Sequence, residues 1–546
     1  MSDKKPKLQA APFVKDVLNN DIVSTVEFDP LENTMDPDCG VKRGLKTRHL
    51  SMLALAGIIG PGLLIGSGGA LASGGPASLL IGFGVIGIIA FSVMQSLGEL
   101  TTLYPTGGAF VRLASRFADR GLGFAVGWNY FIIWVAVLAN EYNALTSILT
   151  FWSDKVPIWG YFLLFWFFFL GFQLLGVVAF GEAEFWIALI KIVGLLTFFI
   201  FAIVYSAGGI IGQKSAVGFQ YWHNPGAFAD GFRGVASVFV FCSTFYAGCE
   251  SVAVAAAETK NPSKAVPTAI RQVFWRILII YMGSALFFGM TVPWNSTGLI
   301  SAGSRSLRSP MTIALANAGW ENGVHLINAF ILVTCLSAVN SSIYIGSRTV
   351  LFMAQDKMAP KFLGWTSKTG VPIPAIIFTN FFGALSLMNI STGAGQAYQY
   401  IVNLSGVSTF LVWGSISFVH LRFRGAWKKQ GYTPDDLPFV SMFYPYSAYF
   451  GFAANVFLAI VQGWTTLSPF KAGNFVDSYI LLPIFFIFIF GYKLIFKTKW
   501  VGLEEMDLTS GRRKDIDAVS FSMSQADIEN TVVDKKTIWK KISNFV

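Results

Sequence analysis

Residues 56–62 read Ala56-Gly57-Ile58-Ile59-Gly60-Pro61-Gly62, three glycines and a proline within six positions, in the middle of an apolar stretch from 48 to 73. In a helix interior a glycine costs about 1 kcal/mol and a proline about 3 kcal/mol. A segment long enough to cross a bilayer therefore carries its own interruption near its centre. Close packing of a neighbouring helix against small residues would account for the glycines. It would not account for Pro61, so an unwound segment is expected here.

Apolar stretches of spanning length recur beyond this one, at 76–98, 122–149, 157–180, 183–206, 232–255, 273–293, 323–353, 373–390, 396–420, 445–467 and 476–496. A spanning helix needs about 20 apolar residues, so the reading is an all-α integral membrane protein with about twelve transmembrane helices. The hairpin at Phe180-Gly181-Glu182 is the least marked of the breaks between them. The composition agrees. Of 546 residues 54% are hydrophobic and only 13% charged, against about 25% charged in a soluble globular chain. Four cysteines exclude a secreted disulfide scaffold.

The net charge of +10 could point to nucleic acid, and its distribution argues otherwise. Lys42, Arg43, Lys46 and Arg48 precede the first span. Arg112, Arg116 and Arg120 follow the second, and Lys260, Lys264, Arg271 and Arg276 follow the sixth. Arg348, Lys357, Lys361 and Lys368 follow the eighth, and Arg422, Arg424, Lys428 and Lys429 the tenth. The alternate connections hold few, chiefly Lys155, Lys214, Arg233, Arg305, Arg308 and Lys471. Lysine and arginine concentrate in cytoplasmic loops, so both termini are expected inside and no nucleic-acid partner is implied. The domain reading is a cytoplasmic tail (1–47), a membrane domain (48–497) and a second cytoplasmic tail (498–546). The lipid bilayer is the first partner.

A second polar, small-residue interruption falls in the sixth span, Ser243-Thr244-Phe245-Tyr246-Ala247-Gly248-Cys249-Glu250. An ordinary packed helix with its hydroxyls bonded back to carbonyls would also produce it. Taken with the first break it says more, because interrupted spans at matching positions of two repeats point to a substrate site. Spans 1 and 6 lie five apart, giving units of about 48–206 and 232–420. An odd number of helices per unit forces opposite orientations, a 5+5 inverted repeat, with two extra helices at 445–496. Each half-helix that begins at a break directs free N–H groups and a positive dipole end into the interior. Near Gly62 and Gly248 these suit a carboxylate, while the carbonyl ends of the preceding halves suit an ammonium. Together they complement a zwitterion, an amino acid.

Several motifs give the chain a family resemblance. Arg43-Gly-Leu-Lys-Thr-Arg-His49 precedes span 1, and Leu100-Thr-Thr-Leu-Tyr-Pro-Thr-Gly-Gly108 follows span 2. Gly181-Glu-Ala-Glu-Phe-Trp186 opens span 5, and Glu258-Thr-Lys-Asn-Pro-Ser-Lys-Ala-Val-Pro267 follows span 6. Ser347-Arg348 and Gly370-Val-Pro372 bracket the loop after span 8. From about Arg43 to about Arg513 the chain resembles the fungal amino-acid permeases of the yeast amino-acid transporter family, in the amino acid–polyamine–organocation superfamily. Ile59-Gly-Pro-Gly-Leu-Leu-Ile-Gly66 and Cys242-Ser-Thr-Phe-Tyr246 most closely resemble the low-specificity general amino-acid permeases of yeasts. The resemblance implies a fold like that of the bacterial leucine transporter and proton-coupled import across the plasma membrane. Family members usually carry Gly-Thr-Gly in span 1. Gly60-Pro61-Gly62 removes one N–H donor and the threonine hydroxyl.

Residues expected to contact substrate are Ile58, Ile59, Gly60, Pro61 and Gly62 from the first break, and Phe241, Ser243, Thr244, Phe245, Tyr246 and Gly248 from the second. Phe241, Phe245 and Tyr246 either wall and gate the pocket or, in a chain with 16% aromatic residues, simply face lipid or core. Glu141, in Ala139-Asn140-Glu141-Tyr142-Asn143, is either a ligand for the substrate ammonium or a hydrogen-bonded structural acid. Glu250 is either part of the site or a cap on the second half-helix. Lys191 sits nine residues past Glu182, about 13 Å along a helix and too deep to reach water. An intramembrane charge costs about 2.5–3.5 kcal/mol and turns to the bundle interior, as a structural ion pair or a functional group. In related proton-coupled transporters a span-5 lysine stands in the place of a sodium ion, so the resemblance makes Lys191 the candidate for proton coupling, with protons as co-substrate. Ser337, Asn340, Ser341 and Ser342 on span 8 either surround it or only hydrogen-bond between helices.

The four histidines form no metal-ligand cluster, and no phosphate-binding loop is present, so neither a metal, a cofactor nor ATP hydrolysis is expected. A membrane enzyme would need a catalytic constellation that the sequence does not offer. Two other readings on the same fold stay open, a non-transporting nutrient sensor and a permease for another nitrogen compound such as a polyamine. Lysines in the two tails would serve ubiquitin-dependent trafficking.

Overall fold

A computed structural model describes residues 40–512 except 58, 211–212, 214, 302–308, 321, 391 and 468–469. Two expectations fall outside those residues, the contact of Ile58 and the ubiquitin-acceptor lysines of the distal tails. Among the described residues there is no strand, only isolated bridges pairing Leu45 with Thr259 and Leu467 with Phe470.

The chain runs through α1 (Thr47–Met52), α2 (Gly62–Gly74), α3 (Pro76–Leu103), α4 (Ala109–Phe117), α5 (Arg120–Trp152), α6 (Ile158–Leu174) and α7 (Val177–Ser206). It continues through α8 (Gly231–Tyr246), α9 (Ser251–Ala256), α10 (Pro262–Thr291), α11 (Pro310–Asn317), α12 (Gly323–Gln355) and α13 (Ile373–Ile390). The last elements are α14 (Thr392–Lys429), α15 (Tyr446–Val461), α16 (Ala472–Tyr479) and α17 (Leu481–Phe496). Among the described residues seven helical stretches are long and apolar enough to cross a membrane, α8 and α9 counting together as one; α2, α6, α15 and α17 are shorter apolar helices. The outer faces settle their solvent. Leu164 and Phe167 of α6 and Ile200 of α7 are all more than 60% exposed, large apolar side chains of the kind that face lipid tails.

The turn between α6 and α7 lies earlier than Phe180-Gly181-Glu182. The helix stops at Leu174 and restarts at Val177 around Gly176, whose φ of 90° only glycine adopts without strain. Phe180, Gly181 and Glu182 are helical and belong to α7. Arg276 is a second correction. Counted above among the loop charges, it has its side chain wholly buried in the middle of α10.

The helices pack so that the two interrupted segments meet. The first half of the interrupted span 1 lies on α7, and the second half, α2, lies along α8. Close approach there requires small residues: a Cβ on Gly234 would stand 3.0 Å from the Ser73 carbonyl oxygen. Helix α5 runs through the centre against α12 and α14. A buried ion pair ties the turn after α9 to α12, where Glu258 accepts from Arg348 Nε (3.1 Å) and from the Tyr344 hydroxyl (2.6 Å). Beside it the Leu45–Thr259 bridge holds the chain leading into α1.

Candidate functional site

Span 1 unwinds after a wide π-type turn at Leu53–Gly57 and restarts after Pro61, the residue that precedes α2. Pro61 has φ −60°, the value its ring fixes. At the first turn of a helix its missing N–H has no intrahelical partner to lose. The residue thus leads into the next helix at no hydrogen-bond cost. The glycines admit neighbours. A Cβ on Gly60 would lie 3.2 Å from Glu141 Oε1, and one on Gly62 would collide with the Phe245 ring.

Span 6 breaks at Ala247 and Gly248. Ala247 is extended (ψ 136°) and Gly248 has φ 96°, the left-handed region that favours glycine. Glu250 pins this turn: its Oε1 accepts from Gly248 N–H (2.9 Å) and its Oε2 from Trp413 Nε1 on α14 (3.0 Å). It makes no side-chain cap bond to α9. The carboxylate therefore holds the unwound residues rather than the helix after them.

Between the breaks lies a cavity of about 60 Å³, lined by Ile59, Gly60, Gly62, Thr244, Phe245 and Ala247 from the two interrupted segments. Helix α5 supplies Trp134, Asn140 and Glu141, and α10 supplies Tyr281. Glu141 is buried, and its Oε2 has no hydrogen-bond partner among the described residues. A buried carboxylate oxygen left open costs roughly 1–3 kcal/mol or more, so this wall is prepared for a donor. Phe241 and Phe245 meet edge to face at 4.1 Å above Gly66. The other expected ligands are engaged elsewhere. Ser243 and Thr244 donate back to the Val240 carbonyl (2.7 and 3.2 Å), and the Tyr246 hydroxyl donates to the Phe83 carbonyl of α3 (2.9 Å). Pro61, Phe241, Ser243, Tyr246 and Gly248 do not line the cavity, whereas Thr244 does.

Lys191 is fully buried on α7 and donates from Nζ to Ser337 Oγ (2.8 Å). Ser337 in turn donates to Glu184 Oε2 (2.5 Å), and Asn340 Nδ2 donates to Glu184 Oε1 (2.9 Å). Gln173 of α6 bonds the Asn340 side chain and backbone (2.8 and 2.9 Å). Ser341 and Ser342 are buried on the same stretch of α12, Ser342 donating to the Ala338 carbonyl (2.7 Å). Glu184 was not singled out by sequence reasoning, though the signal existed: it precedes Lys191 by seven residues, two helical turns, and so shares its face. Arg276, Tyr281 and Trp413 carried no such periodic cue.

A hydrogen-bonded acid and base buried inside an apolar bundle, and a cavity at two helix breaks, fit a membrane carrier with an internal site. Residues 49–503 match the amino acid permease family, and the chain belongs to that family. It is 54% identical to the general amino acid permease AGP3 of Saccharomyces cerevisiae over 526 residues, 95% of this chain and 94% of the relative. The general amino-acid permease GAP1 of the same yeast is 36% identical over 521 residues (92% and 86%), and its basic amino-acid permease 37% identical over 487 residues (87% and 85%). It is a multi-pass membrane transporter of amino acids.

Proposed function

We propose that this permease imports amino acids of broad specificity by proton symport and alternating access, across the plasma membrane, with both termini cytoplasmic. In this reading the helices form twelve spans, ten of them in a 5+5 inverted repeat and two appended. The observation that carries it is the cavity between the two helix breaks, with Glu141 presenting an unpartnered oxygen to it. The substrate ammonium would pair with Glu141, and the carboxylate would take the free N–H groups where α2 begins. Thr244 and Ala247 would bound the side chain, and Phe245 would close over it.

Proton coupling is assigned to Lys191. Its ammonium, Ser337 and Glu184 form one hydrogen-bonded line, so a proton lost or gained at Nζ changes how α7 is held to α12. That line adjoins the first half of span 1, which packs on α7. Release of this contact would let the interrupted helix swing, and the Glu258–Arg348–Tyr344 cluster with the Leu45–Thr259 bridge would open on the cytoplasmic side. The name of AGP3 supports broad specificity, since that relative is described as a general permease.

Uptake of labelled amino acids into permease-deficient yeast tests the proposal. Expected is concentrative uptake of several amino acids that collapses with a protonophore. Surface expression without uptake of any amino acid would favour the sensor reading instead.

A further inference from the structure

Arg276 is a fully buried guanidinium that the reading above does not use. Arginine stays charged at any accessible pH, and a buried charge is normally matched by an opposite one. Among the described residues it forms no ion pair. Instead Nη1 donates to the Ala54 carbonyl (3.0 Å) in the turn that ends the first half of span 1. Nε and Nη2 both donate to Tyr281 Oη (3.2 and 2.6 Å), and the Tyr281 hydroxyl donates to the Phe245 carbonyl (2.7 Å) near the end of α8. Two carbonyl-terminated helix ends thus converge on one cation, directly and through one phenol, as a positive charge at helix C-termini should favour. Carbonyl dipoles satisfy its hydrogen bonds but leave its full charge uncancelled. Arg276 also opens a π-type segment, Arg276–Met282, a widening frequent at functional sites.

Tyr281 lines the cavity and Arg276 stands behind it. The nearby acids are committed: Glu250 to Gly248 and Trp413, Glu184 to Ser337 and Asn340, while Glu141 faces the cavity from α5. We infer that Arg276, acting through Tyr281, is the positioning residue that makes this site select ligands bearing a carboxylate. Its charge supplies the attraction, and its clamp on Ala54 and Tyr281 holds the carbonyl ends of both broken helices so that their N–H ends are left to the ligand. The inference rests on the amino-acid reading proposed above.

The test compares L-leucine with L-leucinamide, which keeps the ammonium and side chain but lacks the anionic carboxylate, as competitors for labelled L-leucine binding to purified full-length protein. In the wild type, leucine should compete far better than its amide. In Arg276→Gln that preference should shrink at least tenfold, about 1.4 kcal/mol, with amide binding changed little. A merely structural defect would weaken both ligands alike. Arg276→Lys, which keeps the charge, should retain most of the preference. If Arg276→Gln does not reach a folded state, Tyr281→Phe carries the test, with a loss of at least threefold expected. An unchanged leucine-to-amide ratio in either variant overturns the assignment while leaving the transporter reading intact. Failure of the wild type to bind leucine overturns both.

Discussion

Replacing Lys191 with methionine separates binding from coupling. Methionine approximates the length of the lysine stem without its charge, so the space between α7 and α12 stays filled. The carboxylate of Glu184 then keeps the Ser337 and Asn340 donors but loses the cation beyond Ser337. Removing one partner of a buried charge pair costs roughly 3–5 kcal/mol, so the single variant should be markedly less stable in detergent. The double variant Lys191→Met with Glu184→Gln neutralises both ends and should regain most of that stability. Transport should not follow. One proton charge moved through about 100 mV is worth about 2.3 kcal/mol, enough to hold a gradient of about fiftyfold at 1.4 kcal/mol per decade. Both variants should bind substrate within a few-fold of wild type, yet equilibrate it to an inside-to-outside ratio near one. The assay is steady-state accumulation of labelled leucine in permease-deficient yeast, normalised to surface protein and repeated with protonophore. Protonophore-sensitive accumulation at the wild-type level in the double variant refutes the coupling role.

Three further outcomes are expected. Gly62→Ala drives a methyl into the Phe245 ring, so uptake should fall at least tenfold with surface expression retained, measured by transport and microscopy together. Glu141→Gln keeps the shape but removes the charge offered to the ammonium, and should raise the leucine KM at least tenfold with a smaller change in maximal rate. Trp413→Phe deletes the donor to Glu250 Oε2. A lost hydrogen bond to a charged group costs roughly 1.5–3 kcal/mol, which thermal unfolding in detergent should register.

The interruptions of the first and sixth spans were legible because their causes are local. Glycine and proline act on the backbone through their own covalent structure: Pro61 stands where a helix starts, and Gly248 takes a left-handed φ of 96°. Lys191 was legible because a charge at that depth requires a partner. Its partner network was half-visible: Ser337 and Asn340 stood out as polar residues on an apolar helix, while Glu184 was hidden in a motif read for family resemblance. What the sequence withheld was tertiary. Ser243 and Tyr246 look like pocket residues by position, but helix rotation turns their hydroxyls to Val240 and Phe83. Arg276 looked like a loop charge because basic neighbours precede it, and only the packing of α10 against the two breaks makes it an internal cation. Glu250 serves the backbone of its own turn, a role set by Gly248's left-handed conformation and by Trp413 more than 160 residues away.

Reconstituted liposomes offer the most direct measurement of the central claim. Purified protein with an imposed inward proton gradient and no other ion gradient should concentrate labelled leucine inside, transiently and above the external level, and a protonophore should abolish the overshoot. Leucine that only equilibrates, with the same time course with and without the gradient, would contradict proton-coupled import.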